Sequence, residues 1–296
     1  PALQHSLYVG GPKRINLPNR LVLPPLVIWQ SECSGMVTDA HIEHYRSCAG
    51  PGLMIVEATC VAPDGRLGST QLGLYDDAQI AGMRRLVESI HASGAVAGVQ
   101  LHHAGVKTSP ERNCGHSPWA VSITEKTPED AVELSETDIT AIIAGFASAA
   151  RRATEAGFDV LEIHGAHGYL GSQFLSPKHN RRQDDWGGSL EERTRFLTET
   201  VEAVYEAAET TAVGVAAAER PCIACRFGIA DKDFAFSEGV AAAHRLIDAG
   251  VELLHISTAG GPPPDPTPSE DDFSPIMQLG FAARRELAGR VPIIGV

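Results

Sequence analysis

The sequence predicts an α/β protein of the (β/α)8, or TIM, barrel type, preceded by an N-terminal hairpin. Three observations carry that expectation. Short apolar runs alternate with amphipathic helical patterns along the whole chain, the signature of a parallel sheet with crossover helices. The length, 296 residues, suits one barrel, which typically needs about 250. His164, His167 and Tyr169 follow directly on one of the apolar runs, where a parallel barrel keeps its chemistry. The whole chain, 1–296, therefore reads as a single domain, and its hydrophobic content of 43% is ample for the core.

Residues 6–20 read as the hairpin, turning at Gly10-Gly11-Pro12. The first strand, 21–23, is stopped by Pro24 and Pro25. Thr38 caps the first helix, which shows Ile42, Tyr45 and Ala49 on one face. After a second strand, 53–57, Asp76 and Gln79 open the next helix as a capping box, and Ile80, Met83, Val87 and Ile90 form its stripe. The third strand, 97–101, leads into a long connection, 102–134, carrying His102, His103, Lys107 and Trp119. Connections of that length are usually functional. Ser135 opens the third helix, which buries Ile139, Ile142, Ile143 and Phe146 and ends at Gly157. The fourth strand is 160–164, and Ser189 with Glu192 caps the helix that shows Leu197, Val201, Val204 and Ala208. A strand at 223–227, a helix at 238–249 and a strand at 253–257 follow. A proline-rich loop, 260–266, with Glu270, Asp271 and Asp272 beyond it, gives way to a helix opening at Ser274-Pro275 and a seventh strand, 293–296. Seven strands are one short of a closed barrel, and an open edge templates aggregation. The chain is therefore expected to continue past Val296.

Side chains alternate faces along a strand, so Val160, Glu162 and His164 share one face and Leu161 and Ile163 the other. The second face suits packing against helices. The first, with a carboxylate and an imidazole, suits a barrel interior opening onto a site. A His-x-x-His pair can bind a metal, but no further cluster with ligand spacing follows, and no metal is expected. A net charge of −13 argues against nucleic acid or an anionic membrane as partner. No apolar run approaches the roughly 20 residues of a membrane helix, and the first residues lack the pattern of a secretory signal. Cys33, Cys48, Cys60, Cys114, Cys222 and Cys225 show no disulfide-framework spacing, which fits unpaired thiols in a reducing cytoplasm. Cys222-x-x-Cys225 lies inside a predicted strand and reads as incidental.

From 160 to 193 the chain reads VLEIHGAHGYLGSQFLSPKHNRRQDDWGGSLEER. The run EIHGAHGYL, then QFLSP, NRR and D-x-W-G-G-S-L-E-x-R, closely resembles the central signature of the Old Yellow Enzyme family, FMN-dependent NAD(P)H:flavin oxidoreductases. Asn19-Arg20, the I-V-E-A of 55–58 and the Q-L-H-H-A-G of 100–105 fall in family order. The resemblance implies FMN and NAD(P)H as cofactors. It also implies hydride transfer, by way of the flavin, to an activated alkene such as an enone, enal, nitroalkene or dienoyl thioester. In that reading His164 and His167 hold the substrate's electron-withdrawing oxygen, and Tyr169 donates a proton. Pro25 and Ala58 would meet the flavin by backbone, Gln100 its pyrimidine edge, and Arg226 its N1 and O2 side. Glu162 is a candidate counter-ion for Arg226.

Departures from the family pattern bear on the pocket. Val27 stands where a threonine or cysteine usually tunes the flavin, Trp29 replaces a common tyrosine of the substrate pocket, and Val106 replaces an arginine. The partners expected are a small molecule with an activated alkene and a second copy of the chain in a homo-oligomer, in the cytoplasm. The alternative is the amine-oxidising branch of the superfamily, with Cys33 as a covalent flavin link. A degenerate barrel that has lost FMN and serves as an interaction protein is a further one.

Overall fold

A hairpin of β1 (Leu7–Val9) and β2 (Ile15–Leu17) precedes a seven-stranded parallel sheet in the computed structural model. The structure describes residues 2–10, 15–214, 220–230, 234–258 and 274–295. The sheet runs in spatial order β3 (Val22–Leu23), β4 (Leu53–Cys60), β5 (Val96–His102), β8 (Val160–Gly165), β9 (Cys222–Ala230), β10 (Leu253–Thr258) and β11 (Ile293–Ile294). A separate parallel pair, β6 (Trp119–Ala120) and β7 (Val132–Glu133), lies in the connection after β5. Because spatial order follows chain order, every crossover moves one strand the same way round, and the sheet curls into a nearly closed barrel. A cavity of about 710 Å³ separates its two ends, lined by Val22 from β3, Ile293 and Ile294 from β11, and Leu7, Val9 and Leu17 from the hairpin.

The outer layer is α1 (Asp39–Ser47), α2 (Ile80–Ala92), α3 (Glu136–Ala156), the short α4 (Leu170–Leu175), α5 (Leu190–Gly214), α6 (Phe236–Asp248) and α7 (Pro275–Glu286). Their ends are fixed by local chemistry. Ser135 Oγ accepts from Asp138 N at 3.2 Å while Asp138 Oδ2 accepts from Ser135 N at 2.9 Å, which satisfies two orphan amides at the start of α3. The same reciprocal bonds join Ser189 and Glu192 ahead of α5. Asp76 and Gln79 do so ahead of a 3-10 turn that runs into α2. Gly157, at φ 97°, ends α3 in the left-handed conformation that other residues adopt only under strain.

Alternation along the strands divides the core into two. Leu53, Ile55, Val160, Cys222, Ala224 and Leu253 point into the barrel and pack under Val9 and Leu17 of the hairpin, which plugs its base. Met54, Val56, Val99, Leu101, Leu161, Ile163, Phe227 and Ile256 point outward into the helical layer. The expected parity of 160–164 is therefore observed. The inner face changes character upward. Above the apolar base lie Gln100, Glu162 and Ala224 in register, and above them His164, Arg226 and His255.

Several expectations are corrected. The first helix stops at Ser47, so Ala49 lies beyond it, and its buried residues are His41 and Tyr45. β4 extends to Cys60 through an irregularity at Glu57, and β5 extends to His102, which is thus a strand residue and not part of the following loop. The short helix α4 and the β6–β7 pair carry no clear periodicity, and no local pattern in the sequence announces them. Cys33 and Cys114, expected to be unpaired, form a disulfide across 81 residues. Cys222 and Cys225 are free and buried, the first in the inner core and the second in the outer, because a spacing of three puts them on opposite faces. Gly11 and Pro12 of the hairpin turn, the 260–266 loop with Glu270, Asp271 and Asp272, and Val296 lie outside the described residues.

Candidate active site

The inner face of the strands turns polar at their C-terminal ends. β5 contributes Gln100 and His102, β8 Glu162 and His164, β9 Arg226, and β10 His255 and Ser257. Gln100 Nε2 donates to Glu162 Oε1 at 2.7 Å, and His255 Nδ1 lies 2.7 Å from Glu162 Oε2, with both of these residues almost fully buried beside the carboxylate. Glu162 and Arg226 form no ion pair. The expected counter-ion is taken up by an amide and an imidazole, and it acts on Arg226 only as a more distant favourable charge.

Above this layer is a chain of imidazoles. His102 Nδ1 lies 3.3 Å from His164 Nδ1, His164 Nε2 lies 3.0 Å from His167 Nδ1, and His167 Nε2 lies 2.7 Å from Ser257 Oγ. His164 is held by its strand. His167 stands in the loop after it with φ 59°, a left-handed conformation that costs a non-glycine residue roughly 1–3 kcal/mol and persists where surroundings enforce it. Thr258 O accepts from its amide at 3.2 Å, and Lys107 Nζ donates to its carbonyl at 2.7 Å. Tyr169 stands at the N-cap of α4, its ring 4.5 Å edge-on from His102, 4.9 Å from His164, and 5.2 Å below Lys107 Nζ. All three predicted catalytic residues therefore meet, with a third histidine.

Electrostatics hold the cluster neutral. Burial, reinforced by neighbouring positive groups, lowers His102 and His167 to about 3 and His164 well below the ordinary imidazole value. Burial also raises the Tyr169 phenol and lowers the Lys107 ammonium and the Arg226 guanidinium. Near pH 7 the imidazoles are uncharged, each with one N–H, and Tyr169 keeps its proton. A surface of this kind binds an electron-rich oxygen by donation and has a phenol proton to give.

Pro25, Val27 and Trp29 lie on the loop after β3, which one buried carboxylate anchors. Glu57 Oε2 accepts from Ile28 N at 2.9 Å. Its other oxygen has no partner, faces His41 Nε2 at 4.0 Å, and burial pushes the group up to about 7. Trp29 has φ 57° and a partly exposed ring, which rests where any side chain at Gly68 would collide with it. Ala58 follows Glu57 and its carbonyl accepts from Gln71 Nε2 at 2.6 Å. Cys33, on the same loop, is joined to Cys114, so its sulfur is not free for a covalent flavin link.

Some buried polar atoms have no partner within the protein and are open to a ligand. Arg226 Nε and His255 Nε2 are such atoms, and both lie on the inner face of this mouth. A guanidinium and an amide beside them form a donor set suited to the pyrimidine edge and N1 side of FMN, so the residues present fit that group. Reading the sequence missed His102, His255, Ser257 and the role of Glu57. Strand parity with Gln100 puts His102 on the inner face, but the apolar pattern alone ends the strand at Leu101, one residue short of it.

The family described as NADH:flavin oxidoreductase / NADH oxidase matches residues 11–261. The NADPH dehydrogenase of Clostridium acetobutylicum is 44% identical over 198 residues, which is 66% of this chain and 58% of that protein. The NADPH dehydrogenase of a Geobacillus species is 39% identical over 279 residues, 92% of this chain and 77% of its own length. Among solved structures, morphinone reductase in complex with tetrahydroNAD superposes with a TM-score of 0.77 at 28% identity, covering 98% of this chain and 78% of that one. An old yellow enzyme homologue from Zymomonas mobilis superposes at 0.79 with 24% identity, covering 99% and 88%, and speaks for the fold alone. The chain spans somewhat over half the length of the Clostridium relative. With a match across most of its length, it belongs to the NADH:flavin oxidoreductase / NADH oxidase family, the group of the Old Yellow Enzymes.

Proposed function

We propose that the protein is an FMN-dependent oxidoreductase that draws on NAD(P)H and reduces the C=C bond of an activated alkene. The observation that carries this reading is the convergence of His164, His167 and Tyr169 beside the partnerless Arg226 nitrogen at one mouth of the barrel. Bound there, FMN would supply hydride chemistry between the nicotinamide and the β-carbon of the alkene. Gln100 and Arg226 would hold its pyrimidine and N1 side, with Pro25, Val27 and Ala58 along its edge. Arg226, a cation already weakened by burial, gains from any negative charge placed beside it. His164 and His167 hold the substrate's carbonyl or nitro oxygen and stabilise the negative charge that builds on it. Tyr169, whose phenol burial keeps protonated, gives its proton to the α-carbon. Trp29 walls the substrate side.

The substrate is a small molecule, and the active form is a homo-oligomer. A cytoplasmic location suits a reaction that draws on NAD(P)H, although the Cys33–Cys114 bond is one that reducing compartments usually break. The test is the visible spectrum of the purified protein, followed by NADPH oxidation with 2-cyclohexenone. A yellow protein that releases FMN on denaturation and consumes NADPH with the enone supports the reading. A colourless protein that takes up no added FMN overturns it.

A further inference from the structure

The imidazole chain has more contacts than its central pair needs, and counting hydrogens shows what the ends do. A neutral imidazole carries one N–H, and a hydroxyl one O–H. The three contacts, at 3.3, 3.0 and 2.7 Å, are all satisfied when each ring passes its hydrogen the same way along His102, His164, His167 and Ser257. The facing nitrogens, His164 Nε2 and His167 Nδ1, then share a single hydrogen.

An oxygen ligand held by both rings changes the count. Both facing nitrogens must carry hydrogen, so both outer nitrogens, His164 Nδ1 and His167 Nε2, are bare. Each bare nitrogen then needs a donor, and the groups in reach are His102 Nδ1–H and Ser257 O–H. Only one arrangement satisfies every contact: donors at the two ends, acceptor between the two rings. His102 suits this part. Its Nε2 has no partner, so a hydrogen there would be an orphan donor, while a hydrogen on Nδ1 forms a bond. Burial keeps its ring neutral, so the position of the one hydrogen is all that varies.

We propose that His102 and Ser257 are positioning residues that, by donating to His164 Nδ1 and His167 Nε2, set the tautomers in which both inner N–H groups turn to a single ligand oxygen. Ligand arrival then moves hydrogens along one half of the chain without changing its net charge. The inference rests on the reading of His164 and His167 as the oxygen-holding pair, and it assigns the two residues that make the pair a double donor.

The test uses the purified protein, His102→Leu, His102→Gln and Ser257→Ala, with p-hydroxybenzaldehyde as the phenol probe. Histidine 15N NMR reads the tautomers, since protonated and bare ring nitrogens give well separated signals. With the phenol bound, His164 should be the Nε2–H form and His167 the Nδ1–H form. His102→Leu and Ser257→Ala should each weaken phenol binding about tenfold, the loss of roughly one hydrogen bond. Each should disturb the tautomer of its own neighbour, His164 in the first and His167 in the second. His102→Gln, whose amide can donate, should recover most of the affinity. Equal loss in the Gln and Leu variants would indicate packing alone and overturn the proposal, as would unchanged tautomers in both Leu and Ala variants. If the wild-type protein binds neither flavin nor phenol, the enzymatic reading falls. The tautomers of the ligand-free protein still decide this inference, because His102→Leu must then alter His164 or the idea is wrong.

Discussion

Glu57 shows how a single buried group can tie stability to pH. Its carboxyl is raised from 4.5 to about 7 by burial, and it anchors the loop bearing Pro25, Val27 and Trp29 through Ile28 N. A raised folded value means that stability is fully present below about 4.5 and is lost as pH rises through 7, by about 3 kcal/mol. Glu57→Gln keeps an acceptor for Ile28 and cannot ionise. The histidines titrate equally in both proteins, so the stability of the wild type relative to Glu57→Gln in urea should drop by about 3 kcal/mol between pH 5 and pH 8, and parallel pH dependence of the two would refute the cause given. At the opposite side of the site, His164 and His167 together should contribute up to about 3–6 kcal/mol to binding a phenolate, two hydrogen bonds to a charged oxygen. The double alanine variant should hold flavin but bind p-hydroxybenzaldehyde far more weakly, which a spectral titration measures. Unchanged affinity would remove both residues from the role.

At the level of elements, packing can reverse what propensity says. Gly239 lies inside α6, where alanine is intrinsically better by about 1 kcal/mol. A Cβ there, however, would come within 1.7 Å of Ile229 O on β9. That contact can be relieved only by moving helix from strand, and overpacking of this kind costs about 1–3 kcal/mol or more. Gly239→Ala is therefore expected to lower the melting temperature, and an increase would mean that α6 is not seated so closely. The same conflict of scales explains which elements were legible. Capping boxes at Asp76, Ser135 and Ser189 announced helices because their signal is local. Strand 160–164 was legible because its parity separated His164 from Ile163. His102 was misplaced because a strand end depends on pairing with β4, where Cys60 sits opposite it, and no local residue announces that. Cys33 and Cys114 were unreadable as a pair for the same reason. Their proximity is created by the barrel, and spacing along the chain does not encode it.

For the whole molecule, the buried histidines set an acid limit. With His102 and His167 lowered to about 3 and His164 lowered further, the unfolded chain binds more protons than the folded one below pH 6.5. Stability then falls by about 1.4 kcal/mol per pH unit for each group, so the cluster alone makes the protein acid-labile between about pH 6 and 3. A stability that is flat over that window would contradict the neutral cluster.

The disulfide acts at the same scale, since it joins the loop after β3 to the long connection after β5 over the mouth of the barrel. Closing a loop of 81 residues removes chain entropy from the unfolded state worth about 4 kcal/mol by the simple chain model. Against this stands the left-handed backbone of Cys114, at φ 52°, which costs roughly 1–3 kcal/mol. The net effect is a stabilisation of a few kcal/mol that reductant should abolish. Cys114→Gly loses the bond and relieves the strained backbone together, so it should be more stable than Cys114→Ser, which loses only the bond. Urea unfolding of the three proteins, with and without dithiothreitol, orders them. The wild type should be highest in the absence of reductant, and should fall to the level of the serine variant in its presence. Indifference of the wild type to reductant would show that the two loops are held together by packing and by Arg66 of the loop after β4, which donates from its amide to Asn113 and from its guanidinium to Cys33 O, and not by the bond between their sulfurs.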